Sequence, residues 1–295
     1  MRIGFIGNPS KLEIGTYLGE WVDWLTTQGH KICMMQDFMK MLDGSASSLI
    51  QTCENLKELV ACSEVLISLG GDGTILYAAK VVGAAQIPIL GVKFGGLGFL
   101  ADISPEDFKE AIGELERGAL HKQERLMLQA TIGFEGEDKD AGYALNEFVV
   151  SRYGGSQATR LRLWVNTRLV NSFISDGIIV ATPTGSTAYS MAAGGPLVSP
   201  VSKTIIITPI NPHSLTAKPI VISDRASVWI EPDDVKDDVL MVSADGQQIQ
   251  PLQAGQMLKV KKADCTTSLL QRTGRSFFDV LKEKLHWGND IRKPG

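Results

Sequence analysis

The fold of this chain is indicated first by the stretch Val65-Leu66-Ile67-Ser68-Leu69-Gly70-Gly71-Asp72-Gly73-Thr74, which continues into Ile75-Leu76-Tyr77-Ala78-Ala79-Lys80-Val81-Val82. An apolar run that breaks on glycines and continues into a helix-forming run predicts a β-strand, a tight loop and an α-helix. Glycine has no Cβ, so the loop backbone can approach a ligand closely, and the N–H groups of the first helical turn point towards an anion. The stretch therefore predicts a phosphate-binding loop.

Asp72 lies in the middle of this loop and sets it apart from a simple glycine turn. A carboxylate beside an anionic ligand is repulsive unless it accepts a proton from a nucleophile or helps to hold a metal ion. We therefore predict a catalytic role for Asp72. The alternative is conformational, with Asp72 as a turn residue and Thr74 as a helix N-cap.

The first third of the chain alternates between strand-like and helix-like patterns. Strand-like runs lie at residues 3–7, 31–35, 65–69 and 87–92, and helix-like runs lie at residues 14–25, 49–60, 75–82 and 105–117. Alternation at this spacing predicts parallel βαβ units, with a ligand site at the carboxyl ends of the strands. The glycines of Gly95-Gly96-Leu97-Gly98 predict a hinge or a tight crossing of the chain.

From about residue 121 onward, short strand-like runs separated by turn signals dominate. They lie at residues 126–132, 144–151, 161–165, 177–181, 204–208, 219–222, 227–230, 240–243 and 257–261. So many short strands predict a sandwich or layered antiparallel domain. We expect a Rossmann-like α/β domain at residues 1–103, joined by a C-terminal helix at residues 276–295, and a β-sandwich domain at residues 104–275.

Composition excludes several classes of function. The chain has 295 residues, of which 44% are hydrophobic, and a net charge of −4, which disfavours a broad nucleic-acid or membrane surface. It shows neither a signal-peptide pattern nor an apolar run long enough to span a membrane. Four cysteines, Cys33, Cys53, Cys62 and Cys265, show no Cys-x-x-Cys spacing. We expect free thiols in a reducing compartment, and hence a cytoplasmic protein.

A second polar block follows the run at residues 177–181. It reads Thr182-Pro183-Thr184-Gly185-Ser186-Thr187-Ala188-Tyr189-Ser190 and contains six hydroxyl side chains. Hydroxyl groups both donate and accept hydrogen bonds, which suits ribose and amide groups, and Tyr189 offers a flat face for a ring. The alternative is a polar turn. Nearby, Asn146-Glu147 could offer an amide and a carboxylate to one ligand, although strand alternation would send them to opposite faces.

Together these motifs resemble the NAD kinase family in order and spacing over residues 60 to 250. Further matching motifs are Leu97-Gly98-Phe99-Leu100, Asp176-Gly177, Gly194-Gly195-Pro196, Thr208-Pro209-Ile210-Asn211-Pro212-His213-Ser214-Leu215 and Asp245-Gly246-Gln247. The glycine–aspartate loop is shared with diacylglycerol and sphingosine kinases and, more distantly, with phosphofructokinases. The Asn-Glu pair and the hydroxyl block are more specific to NAD kinases.

The resemblance implies a reaction and a set of partners. NAD kinases transfer the terminal phosphoryl group of ATP, or of polyphosphate in some members, to the 2′-hydroxyl of the adenosine ribose of NAD. Asp72 would then accept the hydroxyl proton, and the loop glycines and Thr74 would face the donor phosphates, with a divalent cation such as Mg²⁺ offsetting their charge. Family members are homodimers or homotetramers, so a homo-oligomer is implied as well. Neither nucleic acid nor a membrane is an expected partner.

The resemblance also implies the residues that bind NAD, while it leaves the metal ligands open. They are Asp72, Gly73, Asn146, Glu147, Asp176, Thr187, Ala188, Tyr189, Ser190, Met191, Ala192, Asn211 and Gln247. Four residues depart from the common family pattern, which bears on nearby ligand contacts and on donor preference: Tyr77, Lys93, Gln157 and Lys218. His213 could touch ligand or hold its own turn.

Two other functions share part of this pattern. A lipid kinase of the diacylglycerol class would share the loop but would not need the hydroxyl block. A non-catalytic dinucleotide sensor would keep the pocket but could lose Asp72. A physical argument for self-association comes from the apolar runs at residues 204–208 and 241–242, whose exposed faces a second copy would cover.

Overall fold

The computed structural model describes residues 1–42, 48–96, 98–134, 136–152, 158–233 and 240–288. Leu97 and Gln157, named above, lie outside these ranges. The chain forms two compact units. Unit 1 contains Met1–Glu124 and Thr267–Gly295, and unit 2 contains Arg125–Thr266.

The regular elements are named here in chain order. The strands are β1 (Arg2–Gly7), β2 (Lys31–Met35), β3 (Ile50–Cys53), β4 (Val65–Gly70), β5 (Ile89–Lys93), β6 (His121–Phe134), β7 (Glu137–Ala144), β8 (Glu147–Arg152), β9 (Thr159–Val165), β10 (Arg168–Ser175), β11 (Gly177–Ala181), β12 (Thr204–Ile210), β13 (Ile220–Ser223), β14 (Val228–Pro232), β15 (Leu240–Ala244), β16 (Gln247–Leu252) and β17 (Met257–Gln271). The α-helices are α1 (Leu12–Thr27), α2 (Gln36–Met39), α3 (Leu56–Cys62), α4 (Asp72–Val82), α5 (Phe108–Glu116), α6 (Tyr189–Ala192) and α7 (Phe277–Leu285).

Unit 1 is built on a parallel sheet with the strand order β17–β5–β4–β1–β2–β3, to which β17 contributes its last residues. Helix α1 buries the apolar stripe that its sequence predicts, from Ile14 to Leu25. Trp21 of this stripe stacks on Phe108 of α5, with ring centroids 4.1 Å apart. Because α5 packs into this core, unit 1 extends to Glu124 and not to residue 103, where we expected the boundary.

The expected helix at residues 49–60 is wrong in its first half. Residues Ile50–Cys53 form the edge strand β3, which pairs in parallel with β2 from Ile32↔Ile50 onward. The helix begins only at Leu56, because the Asn55 side chain accepts a hydrogen bond from the Glu58 N–H at 3.0 Å and caps it. Backbone pairing along β2 therefore prevailed over the helical spacing of Leu49 and Cys53.

Unit 2 consists of antiparallel sheets whose inner faces share one apolar core. One sheet has the order β13–β12–β11–β8–β15–β16. The other contains β10–β9–β14–β17, with β6 paired to β17 and β7. Alternate residues of facing strands, such as Phe148 and Val180 on one side and Leu161 and Leu163 on the other, fill the core.

The sequence patterns did not predict three of the described strands of unit 2, namely β7, β10 and β16. Most of their residues are exposed, and apolar residues do not alternate regularly with polar ones along them, so they lack the pattern that marks a half-buried strand. Pairing with β6, β9 and β15 fixes these strands instead.

The physical argument for self-association does not hold for the strands that suggested it. On β12, Ile205 and Ile207 face the sandwich core, while Ile206 is covered on the other face together with Ala193 and Val198. Val242 is also in the core. These apolar faces are therefore buried within a single chain.

The cysteines are free thiols, as expected. Three of them converge in unit 1, where Cys53 Sγ lies 3.5 Å from Cys62 Sγ and Cys33 Sγ lies 3.4 Å from the Cys62 carbonyl oxygen. Burial is the largest cause that raises the pKa of Cys33 and of Cys53 to about 12. Within the described residues, none of the helices has the length and hydropathy of a membrane span.

Candidate active site

The glycine–aspartate loop forms the predicted strand–loop–helix unit. Strand β4 is buried along its whole length and ends at Gly70, and Gly71 is the N-cap of α4. The Thr74 N–H donates to the Gly71 carbonyl at 2.9 Å, which closes the first turn. A Cβ at Gly70 would collide with the Thr74 hydroxyl, so this position requires glycine. Asp72 consequently lies in the first turn of a helix, where the helix dipole favours a negative charge.

The Asp72 carboxylate is fixed by a backbone segment that approaches from the other side. Its Oδ2 accepts the Phe99 N–H at 2.8 Å, and its Oδ1 accepts the Leu100 N–H at 3.0 Å. A Cβ at Gly98 would overlap Oδ1, which explains the glycine at this close crossing. The Asp72 side chain remains 27% exposed. The carboxylate is therefore held in one orientation and still has lone pairs that a proton donor can reach.

Sequence reasoning missed a cation beside this carboxylate. The Lys284 Nζ, on α7, lies 3.6 Å from Asp72 Oδ2 and 4.3 Å from the centroid of the Phe99 ring. The helix and its return towards the first part of the chain were expected from its apolar stripe. Lys284 lies at the edge of that stripe, next to Phe277 by helical spacing, and the pattern carried no signal for its partner.

In unit 2, the Asn146-Glu147 pair is held by Asp245. The Asp245 carboxylate accepts the backbone N–H groups of Leu145, Asn146 and Glu147 at 2.8, 2.8 and 3.1 Å. In return, the Asp245 N–H donates to the Glu147 carbonyl at 3.0 Å. Asp245 therefore fixes the backbone that carries the pair, a role that its motif did not indicate.

Glu147 is buried with an unpaired oxygen. Its residue exposure is 5%, and its Oε2 has no hydrogen-bond partner within the described part of the chain. Burial, followed by the nearby Asp245 charge, raises the pKa of Glu147 to about 8. At neutral pH the carboxyl group is thus mostly protonated and can donate as well as accept. Asn146 directly precedes the strand and is buried too.

The hydroxyl block uses much of its hydrogen-bonding capacity within the fold. Thr182 Oγ1 donates to the Leu145 carbonyl at 2.6 Å and accepts the Gly185 N–H at 3.0 Å. The Ser186 hydroxyl donates to the Pro183 carbonyl at 2.7 Å. Ser190 Oγ lies 2.9 Å from Thr208 Oγ1, and both residues are fully buried. The Ser190 hydroxyl is therefore paired in the interior, and the assignment of Ser190 to the NAD site stays a prediction.

Other predicted NAD-binding residues lie at or near the surface of unit 2. Tyr189 is 46% exposed at the start of α6, and Ala192, Asp176, Asn211 and Gln247 are exposed as well. Asn211, with a φ of 45°, donates from its side-chain amide to Asp176 Oδ2 at 2.9 Å. Three further predicted NAD-binding residues are partly exposed: Thr187, Ala188 and Met191. Asp72 and Gly73 belong to unit 1.

The residues that depart from the family pattern include Tyr77 and Lys93, which the structure describes together with the turn residue His213. Tyr77 is 37% exposed on α4, in a shallow depression that Lys57 and Lys80 also line. Lys93 ends β5, and its backbone N–H donates to the Ile103 carbonyl at 2.8 Å. The His213 N–H donates to the Ile174 carbonyl at 2.9 Å, which ties its turn to β10, while its side chain is exposed.

A parallel α/β unit with a fixed aspartate after a strand end, joined in one chain to an antiparallel β unit with polar turns, is typical of a nucleotide-binding protein. The comparison with known families is more specific. Residues 3–120 match the ATP-NAD kinase N-terminal domain, and residues 145–271 match the ATP-NAD kinase C-terminal domain. The NAD kinase of Desulforamulus reducens is 38% identical over 290 residues, which cover 98% of this chain and 99% of that protein. The chain belongs to the NAD kinase family, and its enzymatic activity is that of an NAD kinase.

Solved structures agree in fold. Yeast NADH kinase complexed with NADH superposes with a TM-score of 0.91 at 23% identity, over 100% of this chain and 90% of that one. An NAD kinase from Archaeoglobus fulgidus in complex with ATP gives a TM-score of 0.72 at 24% identity, over 95% of this chain and 98% of that one. The predicted fold class and family are confirmed. The lipid-kinase and sensor alternatives find no support.

Proposed function

We propose that this enzyme transfers the terminal phosphoryl group of ATP to the 2′-hydroxyl of the adenosine ribose of NAD, with Asp72 as the base that accepts the hydroxyl proton. The observation that carries this assignment is the Asp72 carboxylate, fixed by two backbone N–H groups and still 27% exposed. A ribose hydroxyl is a weak nucleophile. A positioned carboxylate contributes roughly 10²- to 10⁴-fold to such a reaction.

NAD recognition is assigned to unit 2. Asn146 and Glu147 would hold the sugar hydroxyls and the amide, and the buried, unpaired Oε2 of Glu147 supports this because a ligand hydroxyl would satisfy it. Asp176, the stretch 187–192, Asn211 and Gln247 would line the remainder. Ser190 would contact NAD through its backbone, since its hydroxyl is paired with Thr208.

The donor phosphates would lie at the glycine loop and the N-terminus of α4, near Thr74. ATP is supported as donor by the relative solved with ATP, and polyphosphate stays the alternative. Among the described residues there is no group of three or more His, Cys, Asp or Glu side chains that could hold a metal. A Mg²⁺ ion would bind mainly through the donor phosphates, since Mg²⁺ sites of this kind use few protein ligands. When bound, the ion would offset the phosphoryl charge.

The remaining expectations are also kept as proposals. The free cysteines favour a cytoplasmic enzyme, and the net charge of −4 disfavours a nucleic-acid partner. The family resemblance favours a homodimer or homotetramer. It also favours two domains with separate tasks, phosphoryl transfer in the first and NAD binding in the second.

The central test replaces Asp72 by Asn, which keeps the shape and removes the base. The assay incubates the protein with NAD and Mg-ATP and measures NADP with an NADP-specific dehydrogenase. We expect kcat to fall about 10²-fold or more, while KM for NAD stays within about threefold. Near-normal turnover in Asp72→Asn would show that Asp72 is a turn residue and that the assigned mechanism is wrong.

A further inference from the structure

Helix α7 brings a cation to the carboxylate of the proposed base. The Lys284 Nζ lies 3.6 Å from Asp72 Oδ2, and Lys284 is the basic side chain paired with Asp72 within the residues that the structure describes. The same ammonium group lies 4.3 Å from the centroid of the Phe99 ring. Phe99 also donates its backbone N–H to Asp72 Oδ2 at 2.8 Å. The carboxylate, the ring and the ammonium group thus form one contiguous cluster.

The orientation of Lys284 follows from how α7 is anchored. The helix begins with a capping box in which the Ser276 hydroxyl accepts the Asp279 N–H and the Asp279 carboxylate accepts the Ser276 N–H. Leu281 is buried, which fixes one face of the helix against unit 1. Lys284 lies three residues beyond Leu281 and therefore on a neighbouring part of that face. The cap and the buried Leu281 therefore fix the helix that carries Lys284.

Stability does not account for this arrangement. The side chains of Lys284 and Asp72 are 31% and 27% exposed, and pairs with this access to solvent contribute little to folding. The pair does matter for the proposed reaction, because a carboxylate next to donor phosphates is repelled by them. A fixed cation at the carboxylate counters that repulsion without any rearrangement during transfer.

We propose that Lys284 is a positioning residue for Asp72 and that it makes the C-terminal helix part of the catalytic apparatus. This inference rests on the proposed role of Asp72 as the base. The ammonium group holds Oδ2 in place through charge, while the Phe99 ring holds the ammonium group. Its effect falls on the transfer step, and the NAD-binding residues of unit 2 are not involved.

The test compares Lys284→Met with Lys282→Met, a lysine on the same helix whose side chain is exposed. We expect Lys284→Met to lower kcat about tenfold or more, while its KM for NAD stays within about threefold of the wild-type value. The melting temperatures of Lys284→Met and Lys282→Met should be equal. Lys284→Arg should restore most of kcat because it restores the charge. Lys284→Gln serves as a second neutral variant if the Met variant folds poorly. Unchanged kcat in the folded neutral variant, or an Arg variant as slow as it, would overturn the proposal.

A double-mutant cycle with Asp72→Asn separates this inference from the proposed function. If Lys284 acts through Asp72, Lys284→Met should lower the residual kcat of Asp72→Asn by less than about twofold. A full additional loss would overturn the positioning role. A fully active Asp72→Asn would instead overturn the assignment of the base. An inactive Asp72→Asn together with a fully active Lys284→Met would overturn this inference alone.

Discussion

At the scale of single residues, the two proposed sites use carboxyl groups in opposite ways. Asp72 accepts two backbone N–H groups and pairs with a lysine, and it is partly exposed. Glu147 is buried beside Asp245 and has an unpaired oxygen, and burial raises its pKa to about 8. The first environment holds a carboxylate in one orientation with solvent access. The second suits a neutral carboxyl group that donates to a sugar hydroxyl.

The raised pKa of Glu147 predicts how stability depends on pH. Between its ordinary pKa of 4.5 and about 8, the folded protein keeps a proton that the unfolded chain releases, so the free energy of unfolding falls as pH rises. In Glu147→Gln the side chain is neutral at every pH, so the free energy of unfolding of this variant does not fall for this reason. Its stability relative to the wild type should therefore rise by up to about 1.4 kcal/mol per pH unit over this range and level off above pH 8.

Denaturant unfolding at pH 5, 6, 7 and 8 measures this difference. Glu137→Gln, at an exposed position on β7, is the matched control for the loss of one glutamate. If the stabilities of the wild type and of Glu147→Gln run parallel across the whole range, then Glu147 is not a buried, protonated acid in the folded protein.

What the sequence revealed at this scale depended on neighbouring residues in the chain. Asp72 and the glycines around it could be predicted, since a strand, a glycine turn and a helix follow one another directly. The partners of Asp72 could not, because Gly98 and Lys284 meet it only after the chain has folded back. Asp245 likewise lies within a quoted motif, yet its contact with three N–H groups around Asn146 depends on the pairing of β8 and β15.

At the scale of elements, apolar periodicity predicted the elements that bury one face and missed those that do not. Helix α1 and strand β4 were found because their apolar residues become the core of unit 1. Strand β3 was taken for a helix because its short run also fits a helical stripe. Strand β10 was missed because most of its residues are exposed. Such strands exist through backbone pairing, which side-chain patterns do not encode.

The polar turn at residues 182–190 gives a prediction at this scale. Thr182 joins this turn to the segment before β8 through its buried hydroxyl. The partly exposed Thr187 instead donates within its own turn, to the Thr184 carbonyl at 3.2 Å. Thr182→Val keeps the shape and leaves a buried carbonyl and a buried N–H unpaired. We expect it to lower the free energy of unfolding by about 1–3 kcal/mol, and Thr187→Val to lower it by less.

Chemical denaturation of the two valine variants at one pH provides the comparison. An equal, small effect of both substitutions would mean that the turn is not held by Thr182. A raised KM for NAD is also expected in Thr182→Val, since the same segment carries Asn146.

At the scale of the whole molecule, the apolar strands of unit 2 are covered within one chain, so self-association needs another surface. Strand β10 pairs with β9 and forms an end of its sheet among the described residues. It carries three half-exposed apolar side chains, Leu169, Val170 and Ile174. Val170 lies at the register shift between Leu169 and Asn171, and Ile174 lies in the regular part of the strand. An apolar edge strand of this kind favours pairing with a second copy.

We therefore expect the active enzyme to be a homodimer or homotetramer in which β10 contributes to the contact. Ile174→Glu places a charge on this strand and should shift the mass measured by light scattering towards the 32.0 kDa of one chain, with a parallel loss of activity. Leu12→Glu is the control, because Leu12 is 89% exposed at the start of α1 in unit 1 and its replacement should change neither quantity. A fully active wild-type species of 32.0 kDa at assay concentration would contradict the oligomer. A larger species that Ile174→Glu leaves intact would contradict the role of β10.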